Sequence, residues 1–221
     1  MKSQVRRATR SLLRGELGDR RAASVLHRFA RERAMIDVPR LRAPMSRMTL
    51  GIAVDSLALF RALPDDLPRD ARLDLIERFV ACWMRGQFAS PVVRWIYRHR
   101  WAHLLLRRWW FWTANLLDEP AGWRFRFLRG DEDLFYGVDV TRCGIVRFLS
   151  QQGAPELDPL MCRGDFQITA FLPAGVTFAR SQTLAERAPH CDFRYLTVPT
   201  LVDKRTVDLE VRDDSARKAP S

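Results

Sequence analysis

Cysteines and aspartates in the second half of the chain are the residues best suited to covalent or acid–base chemistry. A thiol attacks as its thiolate and a carboxylate takes a proton from water or a thiol, so each is useful only where its surroundings set its charge. Cys162 stands just before a loop in Met161-Cys162-Arg163-Gly164-Asp165-Phe166 and is the first choice of nucleophile. Asp165 is a candidate base, with capping the turn or pairing with Arg163 as its structural alternative. Cys143 opens a helical pattern in which Val146 and Leu149 follow at packing spacing. It reads as a buried structural thiol, unless the helix amino terminus lowers its pKa and favours the thiolate. Arg180 interrupts an otherwise strand-like run; it either forms an ion pair or grips a ligand carboxylate through two parallel hydrogen bonds.

Strand geometry restricts which of these groups act together, because successive side chains point to opposite faces. On a regular strand Arg180 shares a face with Gln182, and Ser181 with Thr183, so Arg180 and Thr183 line one pocket only across a bulge. In Cys191-Asp192-Phe193-Arg194, Cys191 and Phe193 oppose Asp192 and Arg194. If Phe193 is core, Cys191 goes with it and Asp192 is the functional partner. His190 is a possible base, although a histidine in a turn is usually solvated. The four cysteines, Cys82 included, contain no Cys-x-x-Cys pair, which disfavours a zinc ribbon or a redox motif. No cofactor is expected; a divalent metal on three cysteines with His190 or an aspartate is the alternative.

The elements that must position these groups fall into a helical half and a strand-rich half. Gln4 to Glu32 reads as a helix interrupted or bent near Gly15 and Gly18. A second helix carries Met48, Ile52, Leu57 and Phe60 up to Pro64, and a third follows Pro68 with Leu73, Ile76, Val80 and Trp83 on one side. Val92 to Leu117 interleaves Trp95, Trp101, Trp109, Trp110 and Trp112 with Arg94, Arg98, Arg100, Arg107, Arg108, His99 and His103. Its charges fall around the whole helical circumference, so it reads as a helix on the sheet with arginines snorkelling to water. Beyond Pro120 the period becomes two: a hairpin over Phe125–Phe127 and Leu134–Val140, then helices over Arg142–Gln152 and Pro155–Cys162. Strands are expected at Phe166–Leu172, Val176–Gln182 and Cys191–Val198. The expectation is an α+β fold: a basic helical segment over 1–118, an antiparallel sheet of about five strands with two intervening helices over 119–202 in the same domain, and a charged, frayed tail over 203–221.

Charge bears on partners. Residues 1–118 hold 23 basic and 11 acidic side chains whereas 119–221 hold 14 and 15, so the excess of +11 lies wholly in the first half. Such a surface draws nucleic acid or an anionic membrane as a field independent of sequence, against the blander reading of a solvated helical face. Of the 37 basic residues 34 are arginines, which suggests a GC-rich bacterial genome. The longest apolar run, Trp101 to Leu117, is broken by Arg107 and Arg108 and is no membrane span. With no apolar block near the amino terminus, a cytoplasmic address is expected.

Several spaced pieces together resemble the L-2-amino-thiazoline-4-carboxylic acid hydrolase family. They are Thr141-Arg142-Cys143 at a helix start, Cys162 ahead of Asp165-Phe166, Arg180-Ser181-Gln182-Thr183, and Cys191-Asp192-Phe193-Arg194. The family usually has a glycine where this chain has Arg187, a position suited to a left-handed turn or to close ligand approach. The resemblance implies a hydrolase that opens a small cyclic carbon–nitrogen compound such as L-2-amino-thiazoline-4-carboxylate to an N-carbamoyl-cysteine. The ring carbon between sulfur and nitrogen takes a nucleophile, either a thiolate or a water activated by a carboxylate. On this reading Cys162, Asp165, Asp192 and Cys143 are catalytic candidates, and Arg180, Thr183, Arg194 and His190 face a small-molecule substrate. A non-catalytic ligand-binding module on the same scaffold is the competing reading.

Overall fold

The structure is a computed structural model that describes residues 3–198, with side chains from Val5 onward. Five helices come first: α1 (Ser3–Met35), α2 (Pro44–Ala62), α3 (Arg69–Gln87), α4 (Pro91–Arg98) and α5 (Arg100–Leu117). Strands β1 (Arg124–Leu128) and β2 (Leu134–Arg142) lead to helices α6 (Gly144–Gln151) and α7 (Asp158–Gly164), and then to β3 (Val176–Ala179) and β4 (Cys191–Thr197). Proline punctuates the helical half: Pro44 and Pro91 each occupy a first turn, where the missing N–H costs nothing. Asp70 in the first turn of α3 meets the positive end of that helix. The fold is α+β, as the patterns implied. The 203–221 tail lies outside the described residues.

Three local expectations need correction. Phe166–Leu172 is not a strand: Asp165–Phe171 is a 3₁₀ segment and Leu172 caps it, so the sheet has four strands among the described residues. Phe166, Ile168, Ala170 and Leu172 alternate in sequence, yet Ile168 is buried, Phe171 half-buried and Phe166 44% exposed, the spacing of three that a 3₁₀ turn imposes. The aromatic segment 92–117 is two helices, parted at His99, which is extended (φ −101°, ψ 114°). In α1 only Gly18 leaves helical geometry (φ 76°, ψ 163°); Gly15 does not.

The sheet runs β1-β2-β4-β3 with every neighbouring pair antiparallel. Its register sets Phe125 against Val140, Val138 against Phe193, Val140 against Cys191 and Tyr136 against Tyr195. These side chains share the face that packs on the helices; α5 lays Phe111 against Phe125 with ring centroids 4.6 Å apart. One hydrophobic cluster extends from Val5 to Tyr195. Within the helical layer the buried Asp55 of α2 receives Arg33 of α1 (2.5 Å) and Trp83 of α3 (3.2 Å), so one carboxylate ties three helices together. No helix among the described residues is long and apolar enough to cross a membrane.

The start of α6 shows how tightly Cys143 is placed. A Cβ on Gly144 would stand 2.7 Å from the Ala121 carbonyl oxygen and 2.9 Å from the Trp123 ring. Neither backbone nor a buried indole yields easily, so Gly144→Ala is expected to destabilise the fold by about 1–3 kcal/mol. Urea denaturation midpoints of the two proteins check this.

Candidate functional site

Between α2, α3, α4 and α5 on one side and the sheet on the other lies a cavity of about 340 Å³. Its chemistry-bearing residues come from four places: Arg107 on α5, Cys143 ahead of α6, Cys162 and Asp165 at the end of α7, and Cys191 and Tyr195 on β4. The end of α7 thus brings two of the sequence candidates, Cys162 and Asp165, to the wall and the start of α6 a third, Cys143, while strand alternation adds Cys191, which the sequence placed in the core.

Asp165 is held by Arg180, whose Nη1 donates to Oδ2 at 2.9 Å while Nη2 donates to the Cys162 carbonyl at 3.1 Å. The Arg180 side chain is only 6% exposed, with its guanidinium over the rings of Phe166 (5.1 Å) and Phe193 (5.5 Å). Arg180 is therefore a clamp behind the wall that fixes the acid and the end of α7. Burial raises the Asp165 carboxyl to about 6, against the opposing pull of Arg180 and Arg107. An acid poised there is largely ionised at neutral pH yet still accepts a proton readily.

The thiols behave differently. Burial pushes Cys143 up to about 12, outweighing the Val146 and Ile145 N–H groups at the start of α6, so the expected thiolate-favouring helix terminus loses to desolvation. Cys162 is raised further, by burial first and by the Asp165 charge second. Cys191, whose Sγ accepts the Leu184 N–H at 3.2 Å, is also raised by burial. All three are protonated thiols at neutral pH. No group of three His, Cys, Asp or Glu side chains among the described residues is arranged to hold a metal ion.

Arg107 was not singled out from the sequence as a site residue, and it is the cation in the cavity wall. It is 8% exposed; Nε reaches the Tyr136 hydroxyl at 3.5 Å and Nη2 donates to the Tyr195 hydroxyl. Among the described residues no carboxylate forms an ion pair with it, since Asp165, whose charge it feels, is held by Arg180. His103, one turn earlier, places Nε2 2.7 Å from the Tyr136 hydroxyl. Burial first, and the Arg107 charge second, lower His103 to about 3, so the ring is neutral. The signal was there to be read: His103, Arg107, Trp110, Phe111 and Ala114 recur at helical spacing, and all are buried. Counting the arginines of α5 around its circumference concealed that one of them points inward.

The other candidates are not brought to the cavity. Cys191 and Phe193 do share a face and Asp192 and Arg194 the opposite one, but the cavity lies on the Cys191 side. Asp192 accepts the Ser181 and Gln182 backbone N–H groups (3.0 and 2.8 Å) and the Ser181 hydroxyl (2.6 Å). Burial alone would raise it, yet these hydrogen bonds together lower its pKa. Thr183 is buried beneath the 3₁₀ turn Leu184–Glu186, donating to Glu186 Oε2 at 2.8 Å. Because β3 ends at Ala179, no bulge carries it round to join Arg180. Arg194 pairs with Asp139 at 2.9 Å, and His190 lies 3.0 Å from Gln182 Nε2 and 3.7 Å from Asp139.

The profile of the L-2-amino-thiazoline-4-carboxylic acid hydrolase family matches residues 51–195, about two thirds of the chain, from α2 through β4. The chain belongs to this family. No curated protein matches it. The matched span takes in Arg107 as well as Cys143, Cys162, Asp165 and Cys191, so the whole cavity wall beyond the start of α2 lies within the family's region. The departure at Arg187 also finds its meaning. Arg187 is left-handed (φ 65°, ψ 19°), closes the 3₁₀ turn through its N–H to the Leu184 carbonyl (3.1 Å), is exposed, and does not line the cavity. A glycine suits that backbone, so Arg187→Gly is expected to raise stability by about 1 kcal/mol and to leave ligand binding unchanged. Thermal unfolding beside a ligand titration measures both.

Proposed function

We propose that the chain hydrolyses a cyclic amidine-like carboxylate of the L-2-amino-thiazoline-4-carboxylate class to an N-carbamoyl-cysteine. The observation that carries this reading is an acid of pKa about 6 sharing one cavity with a buried guanidinium that forms no ion pair with a carboxylate among the described residues. Arg107 takes the substrate carboxylate, supplying the counter-ion that its burial lacks. Asp165 faces the amidine and acts as general base.

Water, rather than a thiolate, is the nucleophile in this scheme, because burial keeps Cys143, Cys162 and Cys191 protonated. The amidine binds as its cation. Water adds to the carbon between sulfur and nitrogen and gives a proton to Asp165, which leaves a neutral tetrahedral adduct. That adduct collapses with rupture of the carbon–sulfur bond: Asp165 protonates the departing sulfur and its carboxylate recovers the hydroxyl proton as the carbonyl forms. The urea, the carbonyl and the free thiol of the product take up every heavy atom of substrate and water, and the one proton left on Asp165, brought in by the amidine cation, passes to solvent and restores the carboxylate. Arg180 acts on Asp165 and not on substrate.

The test is turnover of aminothiazoline carboxylate by the purified protein, followed as carbamoyl product. Because the base works ionised, kcat/KM is expected to rise with pH with unit slope and level off above about 6. Asp165→Asn should lower kcat by about 10²–10⁴-fold with an unchanged circular dichroism spectrum, and Arg107→Met should raise KM by about tenfold or more. Arg180→Gln removes a charge that lowers the Asp165 pKa, so its inflection should move to higher pH. Tight binding of the compound with no product would make the chain a ligand-binding module instead.

A further inference from the structure

The cavity is larger and more apolar than the proposed ring compound needs. One small ring with an amino group and a carboxylate would leave much of its 340 Å³ unfilled, a volume within the range of roughly 300–1,000 Å³ that encloses drug-sized molecules. The wall is also divided by origin. Apart from Arg107 on α5 and Tyr97 on α4, its ionisable and thiol groups belong to the elements after α5, whereas α2, α3, α4 and the turn between the last two contribute Met48, Ile52, Trp83, Phe88 and Ile96. Thr49 on that side already donates its hydroxyl to the Met45 carbonyl at 2.9 Å, and Gln87 has a partner within the protein. Beyond these, the Tyr97 hydroxyl and the Trp83 indole N–H, which donates to Asp55 at 3.2 Å, that side is apolar.

We infer that the substrate of this site is an amphipathic carboxylate, with its charged head between Arg107 and Asp165 and an alkyl or aryl substituent against α2, α3 and α4. This builds on the reading of the cavity as the substrate site and specifies what occupies the remainder of it. Calorimetric titration of the full chain with acetate, hexanoate and decanoate tests it. Affinity is expected to tighten by about fourfold per methylene until the wall is covered. Met48→Trp, at the 40% exposed rim, and Ile52→Trp, deeper in, should each remove the gain of decanoate over hexanoate, and Arg107→Met should weaken all three acids. Equal affinity for acetate and decanoate overturns the inference. Chain-length dependence without turnover of aminothiazoline carboxylate upholds it and removes the hydrolase reading; turnover with no such dependence does the reverse.

A different surface carries an independent inference. On the outer side of α5, Trp101, Leu105, Trp109, Trp112 and Leu116 recur every three or four residues, and all are 46–64% exposed. Trp95 of α4 extends the stripe, its ring 5.7 Å from that of Trp101. Arg94, Arg98, Arg100 and Arg108 are exposed on the same helix pair, and no acidic residue occurs between Arg78 and Leu117. A contiguous apolar face of this kind marks an interaction site, and the charge around it selects the partner. A second copy would set guanidinium groups against guanidinium groups. Nucleic acid would satisfy the arginines but would cover Leu105 and Leu116, which offer bases nothing to stack on.

We propose that this face lies on an anionic lipid surface, with indoles at headgroup level, leucines at the acyl boundary and arginines on the phosphates. Co-sedimentation of the full chain with phosphatidylcholine vesicles, with and without about one third phosphatidylserine, tests it. Binding only to the anionic vesicles, weakened by salt, is expected. Arg94→Gln and Arg98→Gln should each lower the partition coefficient by about fivefold, and Trp101→Ser with Trp112→Ser should abolish binding. Absence of vesicle binding, or a stripe protected by self-association or by oligonucleotide in preference to lipid, overturns the proposal.

Discussion

A guanidinium buried between α5 and the sheet, with no carboxylate ion-paired to it among the described residues, is the constraint around which the rest is arranged. Moving a charge out of water is costly unless fixed dipoles replace the water. For Arg107 they are the hydroxyls of Tyr136 and Tyr195, with the faces of Trp110 (5.2 Å), Phe111 (5.6 Å) and Tyr195 (5.5 Å) adding their negative quadrupoles. The two tyrosines come from the two central strands, opposite each other, with ring centroids 4.3 Å apart. A slip of one residue in β2 would turn Tyr136 to the other face and leave the cation bare. The register of the sheet and the seating of α5 are therefore one problem with one solution.

The same alternation that builds the inner face builds an outer one of opposite character. Asp139 faces Asp192 across β2 and β4 and Arg126 across β1 and β2. Its side chain is almost wholly covered, by Arg126 (Nε to Oδ2, 2.9 Å) and Arg194 (2.9 Å). Burial works against its charge, but the hydrogen bonds from the two arginines prevail and lower its pKa. Two acids, Asp139 and Asp165, thus end in opposite electrostatic states on the two sides of one sheet. Asp139 is over-supplied with cations and inert, whereas Asp165, in the cavity wall and with a single guanidinium in direct contact, keeps a pKa at which proton transfer is useful.

Much of this was legible in the sequence because it rests on local periodicity and punctuation. Prolines and the change of hydrophobic period located the helical half, the β1–β2 hairpin and β4. The alternation in Cys191-Asp192-Phe193-Arg194 was read correctly as geometry, but Asp192 and Arg194, expected at the site, lie on the face away from the cavity, since alternation says which residues share a face but not which face holds the cavity. Phe166–Leu172 misled because a period of two and a period of three coincide over so few residues. Arg180 and Asp165 were recognised as important, but their relation, clamp and clamped, depends on a contact across 15 residues that no spacing rule supplies. Arg107 was overlooked because a buried cation contradicts the ordinary expectation for arginine, and contradictions of that kind concentrate where a protein handles ligands.

Among the described residues the four-stranded sheet has β1 and β3 as its borders, where main-chain groups could recruit a foreign strand, and on β1 the Asn115 side chain of α5 already holds the Phe125 N–H (2.8 Å) and carbonyl (2.7 Å). β3 is only four residues long, and β1 alternates its phenylalanines with Arg124 and Arg126, both exposed. A stray chain adding to β1 would have to strip water from two cations, and one adding to β3 would find too short a template. Fibrillar stacking is thereby discouraged at both margins of a sheet whose inner face is rich in aromatic side chains.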